Sequence, residues 1–225
     1  MIEFENASYS YTGGELLSDV SLSVSDGSFY FITGPSGSGK TTFLKMCYGA
    51  LVPNSGKVRL FDRDLSEMTR DDIALARRKI GVIHQDCQFL DHMSVTDNIA
   101  LPLAVSGQDR LTENMNLKEL LTWVGLKGRA DALPPELSGG ERQRAALARA
   151  VIMSPDIILA DEPTGNVDLE MSKRLLQLLV ELNKMGKTVL LASHDLSLIR
   201  LAKPQVQIRV LRIANKRIQL AGANL

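Results

Sequence analysis

The sequence has little that would attach the chain directly to a membrane or to nucleic acid. Its 26 lysine and arginine residues are balanced by 26 aspartate and glutamate residues, so no overall charge favours nucleic acid or an anionic membrane. No apolar run approaches the ~18 residues typical of a transmembrane helix. The acidic start, MIEFEN, also lacks the basic and then apolar pattern of a signal peptide. Any membrane function would therefore need a second chain.

Cysteine is scarce as well. Cys47 and Cys87 are the only two cysteines, and neither has metal-ligand or CxxC spacing. We therefore expect reduced thiols in a cytoplasmic protein. With 225 residues and 44% hydrophobic content, the chain can bury a full core, and we assign residues 1–225 to a single domain.

The apolar residues that are present predict an α/β fold. Polar and apolar residues alternate over residues 2–24, which indicates antiparallel strands with turns near Gly13 and Gly27. Continuous apolar runs indicate fully buried strands at residues 29–32, 157–160 and 188–192. Helical patterns at residues 43–47 and 169–184 come between them. This alternation predicts a mostly parallel, doubly wound sheet.

The middle of the chain has a different character. Residues 86–153 contain no convincing strand pattern, and we predict an inserted helical subdomain there. Its expected helices are residues 95–105, 117–124 and 141–153. The tail, residues 206–220, alternates weakly and predicts a small hairpin at the sheet edge.

A phosphate-binding loop follows the first buried strand. The segment GPSGSGKT fits the pattern G-x-x-x-x-G-K-[ST] between a strand and a helix. Glycines let backbone amides surround phosphate oxygens, and the helix start adds partial positive charge. The alternative is a glycine-rich turn that only precedes a helix. The predicted nucleotide-binding residues are Gly34, Pro35, Ser36, Gly37, Ser38, Gly39, Lys40, Thr41 and Thr42. Lys40 would contact the β- and γ-phosphates of ATP, and Thr41 would ligate Mg²⁺.

Two adjacent carboxylates end the strand predicted at residues 157–160. Asp161 and Glu162 lie at the carboxyl edge of the sheet, where ligands bind in open α/β folds. Asp161 would hold Mg²⁺, and Glu162 would orient or deprotonate the attacking water. The alternative is a pair of solvated acids.

The segment LSGGE predicts a second helix start suited to phosphate. Ser138 and Glu141 have the spacing of a capping box. That pattern does not explain Gly139 and Gly140, because glycine costs up to ~1 kcal/mol against alanine inside a helix. Glycines there leave backbone amides open to an anion. Since the phosphate loop already encloses one nucleotide, this second site would serve the nucleotide of another chain.

These residues resemble the ABC ATPases. LSGGE is similar to the signature motif with which two head-to-tail subunits clamp ATP, although Glu141 stands where glutamine is usual. The resemblance covers essentially the whole chain, with the motifs in the family's order. It implies a P-loop NTPase core with an antiparallel β subdomain and an inserted α-helical subdomain. It also implies ATP and Mg²⁺ as cofactors and a homodimer in the ATP-bound state.

The resemblance implies roles for four further residues. Tyr11 would stack on adenine, with Tyr9 as a weaker candidate, although either could be an ordinary strand aromatic. Gln85 would sense Mg²⁺ and water beside the helical subdomain. Asp168 would belong to a loop, GNVD, that crosses the dimer, with Val167 replacing the more usual leucine. His194 would contact the γ-phosphate, although a lone histidine after a strand is often structural.

Within that family, the chain most resembles a group of bacterial inner-membrane ATPases. The segments QDCQFL (85–90), SVTDNIALPL (94–103) and DEPTGNVD (161–168) are similar to the cell-division, lipoprotein-releasing and macrolide-export members. The resemblance is greatest to the cell-division FtsE family, whose members form a complex with the membrane partner FtsX, and that complex activates peptidoglycan hydrolases. It implies a peripheral protein on the cytoplasmic face of the inner membrane, at the division septum.

From the residues themselves we predict docking on the membrane partner through residues 89–94, because Phe89, Leu90 and Met93 are apolar residues in a loop-like segment beside Gln85. The alternative is that these three fill the core of the helical subdomain. The first alternative to the cell-division assignment is the ATPase of a lipoprotein-releasing or macrolide-export transporter. A soluble ABC-type ATPase acting on DNA or ribosomes is a second alternative. No second cassette or long coiled coil supports it, so we expect no nucleic acid.

Overall fold

The computed structural model describes residues 1–107, 110–165 and 167–221. Its strands are β1 (Ile2–Tyr11), β2 (Gly14–Val24), β3 (Phe29–Thr33), β4 (Ser55–Leu60), β5 (Arg63–Asp64), β6 (Ile80–Ile83), β7 (Ile157–Asp161), β8 (Thr188–Ala192), β9 (Ile208–Ala214) and β10 (Arg217–Leu220). Its helices are α1 (Lys40–Cys47), α2 (Arg70–Arg77), α3 (Val95–Ser106), α4 (Arg110–Trp123), α5 (Gly139–Val151), α6 (Leu169–Lys184) and α7 (Leu196–Ala202). None of the helices in these ranges is both long and apolar enough to cross a bilayer.

Four strands form an antiparallel sheet in the order β2-β1-β4-β5. The predicted pairing of β1 with β2 is confirmed, and irregularities in their register fall between Phe4 and Ser10. β4 and β5 were not predicted. In β4, SGKVRL, only Val58 and Leu60 are apolar, and both are buried. Two apolar side chains in six residues are too weak a pattern to identify a strand.

The other six strands form the main sheet, in the order β10-β9-β3-β8-β7-β6. β3 lies between β8 and β9 and is parallel to both, and β7 is parallel to β6 and β8. β10 is antiparallel to β9, so the predicted tail hairpin is confirmed. The hairpin also extends the main sheet, since β9 pairs directly with β3. The predicted α/β fold with a mostly parallel sheet and an antiparallel β unit is therefore confirmed.

The main sheet is buried on both faces. Phe29 and Phe31 of β3 pack into one core with α3 to α7, whereas Tyr30 and Ile32 pack into a second core with α1 and the antiparallel sheet. All five residues of β3 are buried. Successive side chains in a strand point to opposite faces, so a strand covered on both sides is apolar over nearly its whole length. This explains the uninterrupted runs in β3, β7 and β8.

The segment between β6 and β7 is helical, and no strand occurs among its described residues. The helix predicted at 141–153 is wrong by two residues at each end, because Ser138 caps α5 and the helix therefore begins at Gly139. α4 begins at Arg110, well before the predicted residue 117, and α3 runs one residue past the predicted end. The boundaries 86–153 of a helical subdomain stay a prediction.

Candidate active site

A cavity of about 490 Å³ lies at the carboxyl ends of β3, β6, β7 and β8. In open parallel sheets, ligands bind at this edge. The structure brings together here most of the predicted phosphate, metal and catalytic residues. The cavity is lined by Leu16, Ser36, Gly37, Gly39, Lys40, Thr41, Thr42, Gln85, Glu162, Gly165 and His194.

The phosphate loop wraps around the Lys40 side chain. The Lys40 ammonium donates hydrogen bonds to the carbonyls of Gly34 at 3.0 Å and Pro35 at 3.2 Å, and only 7% of the residue is exposed. Gly39 caps α1 with φ +106°, a backbone conformation that is strained for any residue with a Cβ atom. A Cβ there would also lie 3.0 Å from the Leu17 side chain. The local sequence thus fixes a positive charge at the start of a helix that opens on the cavity.

Glu162 links the phosphate loop to β8. One carboxylate oxygen lies 3.3 Å from the Lys40 ammonium, and the other lies 2.8 Å from Nδ1 of His194. The backbone amide of Glu162 donates to the carbonyl of Ala192 at the end of β8, at 2.9 Å. Glu162 itself has φ +46°, an unfavourable conformation for a residue with a side chain. The contacts with Lys40 and His194 hold the carboxylate of Glu162, and the bond to Ala192 holds its backbone.

Asp161 is buried beside Thr41 at the same edge. Burial raises the pKa of Asp161 above its usual value, and a hydrogen bond with the Thr41 side chain opposes that rise. The residue is 8% exposed, and its Oδ1 atom is buried without a hydrogen-bond partner. Unpaired buried carboxylate oxygens are costly. A carboxylate and a hydroxyl oxygen placed together match the oxygen ligands that Mg²⁺ prefers.

The described residues contain no cluster of three or more histidine, cysteine, aspartate or glutamate side chains that could hold a metal ion. A cation at Asp161 and Thr41 would thus have few protein ligands. That arrangement fits Mg²⁺, which usually keeps several waters and also binds the phosphates of its nucleotide. Gln85 lines the same cavity and could complete the set.

The aromatic residue proposed for adenine lies at the rim of the site. Tyr11 is the last residue of β1 and is 47% exposed, and its hydroxyl lies 3.5 Å from the Thr42 hydroxyl. Its ring packs edge-on against Tyr9 at 4.9 Å. Leu16 of β2 lines the cavity and was not predicted. In the sequence, Leu16 does not differ from the other apolar residues of the strand.

The signature residues do not line this cavity. Ser138 and Glu141 form the predicted capping box, in which the Ser138 hydroxyl accepts from the Glu141 amide at 3.3 Å. The Glu141 carboxylate accepts from the Ser138 amide at 2.9 Å and pairs with Arg129 at 3.0 Å. These contacts, led by the Ser138 amide, lower the pKa of Glu141. A Cβ on Gly140 would lie 2.6 Å from the Met171 side chain.

Asp168 also lies away from the cavity, at the start of α6. Its side chain accepts a hydrogen bond from the Met171 amide at 2.8 Å and caps the helix. Met171 in turn contacts Gly140, so the GNVD loop and the signature segment meet within one chain. Of that loop, Asn166 lies outside the described residues, whereas Gly165 lines the cavity.

Comparisons with known proteins give the same family over most of the chain. The ABC transporter family profile matches residues 17–165. The chain is 40% identical over 202 residues to the cell division ATP-binding protein FtsE of Haemophilus influenzae, covering 89% of this chain and 93% of the relative. It is 41% identical over 200 residues to FtsE of Escherichia coli, covering 88% and 90%. For FtsE of Bacillus subtilis, the identity is 37% over 207 residues, covering 92% and 91%.

A solved structure extends the likeness to the fold. The dimeric, post-hydrolysis state of the ATP-binding cassette MJ0796, bound to ADP and Pi, superimposes with a TM-score of 0.88 at 30% identity, covering 97% of both chains. The fold, the phosphate loop and these relatives all indicate the same family. The chain belongs to the ABC transporter family and is an ATP-binding, ATP-hydrolysing subunit of that family.

Proposed function

We propose that this chain works as a homodimeric ATPase on the cytoplasmic face of the inner membrane, bound to an integral permease subunit of the FtsX type. In this proposal, ATP turnover at the division septum drives the activation of peptidoglycan hydrolases by the complex. The observation that carries the proposal is the similarity to cell-division ATP-binding proteins over about nine tenths of the chain.

The phosphate end of ATP would be held by the loop and by the carboxyl edge of the sheet. Lys40 would exchange its carbonyl and Glu162 contacts for the β- and γ-phosphates, because an ammonium ion pairs best with the densest negative charge. Thr41, Asp161 and Gln85 would hold Mg²⁺, which would neutralise phosphate charge. The unpaired Oδ1 atom of Asp161 supports this assignment.

Glu162 would act as the general base in hydrolysis. Its contacts with Lys40 and His194 place the carboxylate at the mouth of the phosphate loop. The His194 contact would remain once Lys40 binds the phosphates, and it would hold the carboxylate where a water attacks in line with the γ-phosphate. His194 would orient Glu162 and contact the γ-phosphate. Tyr11 and Leu16 would contact the adenine end.

The signature segment would bind the nucleotide of a second copy of the chain. Ser138, Gly139, Gly140 and Glu141 start a helix outside the lining of the chain's own phosphate cavity, and Asp168 lies next to them through Met171. Backbone amides at a helix start suit a phosphate group. In a head-to-tail dimer, each nucleotide would contact the start of α1 in one copy and the start of α5 in the other. This use of both helix starts supports the ATP-bound homodimer.

The membrane partner would dock in a groove of about 510 Å³ between α2, β6, α3 and α5. The docking segment at residues 89–94 stays a prediction. Within it, Phe89 packs partly against the core, 4.7 Å from the guanidinium of Arg149, whereas Leu90 is 40% exposed. The groove beside this segment exposes apolar residues of α3, among them Leu101, Pro102 and Val105, and Val105 is 76% exposed.

Membrane recruitment tests this proposal. Val105→Asp places a charge in the apolar wall of the groove, and we expect it to abolish co-sedimentation with membranes that contain the FtsX-like permease. ATP hydrolysis by the free chain should persist. The matched control is Leu220→Asp, which changes an equally exposed apolar residue on β10, outside the groove. Recruitment of Val105→Asp at the natural level would contradict the docking site. Recruitment of the natural chain by a lipoprotein-releasing permease alone would contradict the cell-division assignment.

A further inference from the structure

The loop that carries Gln85 has an unfavourable backbone. Cys87 and Gln88 are consecutive residues with φ of +59° and +43°. Residues with a Cβ atom rarely occupy this left-handed region, and two in succession are rarer still. Such conformations persist only where neighbouring groups hold them in place. The contacts of residues 85–89 therefore indicate what fixes the loop.

Arg149 of α5 makes the main contacts with these two residues. One guanidinium nitrogen, Nη1, donates to the carbonyl of Gln88 at 2.9 Å, and the other, Nη2, donates to the carbonyl of Cys87. The same guanidinium lies 4.7 Å from the centre of the Phe89 ring. Arginine suits this position because its planar fork can bind two acceptors and stack on an aromatic face.

The same helix contacts the loop at a second point. The side chain of Gln143, which is almost fully buried, donates to the carbonyl of Gln85 at 3.3 Å. The Gln85 side chain lines the phosphate cavity. α5 thus holds the loop on both sides of Asp86, and α5 itself begins at the signature segment, ten residues before Arg149.

We propose that Arg149 is a positioning residue for ATP hydrolysis. Its fork holds the carbonyls of Cys87 and Gln88, and this fixes the direction in which Gln85 enters the phosphate cavity. Because α5 is continuous from Gly139 to Arg149, a movement of the signature segment is passed to Gln85 through these hydrogen bonds. The inference rests on the proposed role of Gln85 at the metal and water.

Kinetics of the full chain provide the first test. Arg149→Met keeps an unbranched apolar stem but removes the guanidinium fork. We expect kcat to fall by about 10- to 100-fold, the size of effect that a small misplacement of a catalytic group produces. ATP binding measured without Mg²⁺ should not change, since Gln85 acts at the metal. Arg149→Lys should recover only part of kcat, because a point charge cannot bind both carbonyls.

Arg142→Met is the matched control. Arg142 lies on the same face of α5, 5.9 Å from the centre of the same Phe89 ring, but it donates to the carbonyl of Pro134. This variant should keep the kcat of the natural chain. An equal loss in both variants would overturn the proposal, because the cause would then be the lost packing on Phe89.

The two cysteines report on the loop independently of activity. Cys87 lies in the loop and is 4% exposed, whereas Cys47 is fully buried in α1. In Arg149→Met, we expect a thiol reagent to modify Cys87 at least about 10-fold faster, since the loop now opens locally without global unfolding. Cys47 should stay protected, as peptide mass spectrometry can show. Continued protection of Cys87, or equal exposure of both thiols, would overturn the proposal.

A double-mutant cycle with Gln85→Ala separates this inference from the proposed function. If Arg149 acts through Gln85, Arg149→Met should cause little further loss of kcat in the Gln85→Ala background. Additive losses would overturn the positioning role alone. If Gln85→Ala by itself leaves kcat and its Mg²⁺ dependence unchanged, the proposed role of Gln85 is wrong, and the positioning role of Arg149 is wrong with it.

Discussion

Replacing Glu162 with glutamine should separate ATP binding from ATP hydrolysis. The amide has the shape of the carboxylate but cannot accept a proton from water at neutral pH. Loss of a general base typically lowers the rate by ~10²–10⁴, which corresponds to about 3–5 kcal/mol of activation free energy. We expect a decrease of this size in kcat. The ATP-bound dimer should accumulate, because opening would follow hydrolysis.

The structure indicates that the rest of the site survives this change. Breaking a buried ion pair usually costs about 3–5 kcal/mol, because the remaining charge loses its partner. Lys40 still has the carbonyls of Gly34 and Pro35 as acceptors. The free energy of unfolding should therefore fall by an amount nearer the about 1.5–3 kcal/mol of one hydrogen bond to a charged group. The amide of the variant can also bond to His194 through either imidazole tautomer.

Three measurements check the prediction. Single-turnover hydrolysis with the protein in excess gives the rate of the chemical step, calorimetry gives ATP affinity, and size-exclusion chromatography with ATP gives the dimer. Glu67→Gln, the same chemical change at an exposed residue outside the site, is the control. Turnover of Glu162→Gln within tenfold of the natural chain would show that Glu162 is not the base.

Four further substitutions give distinct outcomes. Lys40→Ala should lose most ATP affinity and all measurable hydrolysis, and near-normal binding by calorimetry would contradict the phosphate-loop assignment. Asp161→Asn should abolish Mg²⁺-dependent hydrolysis yet raise the melting temperature of the nucleotide-free chain. The raised pKa of Asp161 in the folded state means that its ionisation, as pH rises through that pKa, lowers stability. The gain in melting temperature should therefore vanish at pH values below the pKa of an unfolded aspartate, and an unchanged gain there would refute the argument. Ser138→Ala and Thr69→Ala each remove a capping box and should each lose about 0.5–2 kcal/mol of stability. Only Ser138→Ala should also lose the ATP-dependent dimer seen by chromatography.

Local features of the sequence predicted much of the site. The phosphate loop depends on residues that are adjacent in the chain, and the apolar runs at residues 29–32 of β3 and 157–160 of β7 mark the sheet edge where Lys40, Asp161 and Glu162 meet. The capping box at Ser138 is local as well. Each of these patterns lies within a few residues, so the sequence alone contains the physical reason for it.

Features that depend on distant parts of the chain were not predictable in this way. Arg149 looks like one more basic residue of an amphipathic helix until its contacts with Cys87 and Gln88 are known. The left-handed backbone of those two residues has no sequence signal either, since neither is glycine. β4 has only two apolar residues and forms because β1 lies alongside it. Contacts between distant parts of the chain determine the role of Arg149, the backbone of Cys87 and Gln88, and the formation of β4.

The position of β3 between β8 and β9 affects how the protein is made. Roughly 150 residues separate β3 from β8, so at ~5–20 residues per second the ribosome needs roughly 10–30 s to supply the partner strand. β1, β2 and β4 are complete by residue 60 and can pair early. Until β8 emerges, the nascent chain carries the phosphate loop on an apolar strand with both edges unpaired, a surface prone to aggregation. Glu162 and His194 meet only after that, so the hydrolytic site is incomplete until most of the chain has been synthesised.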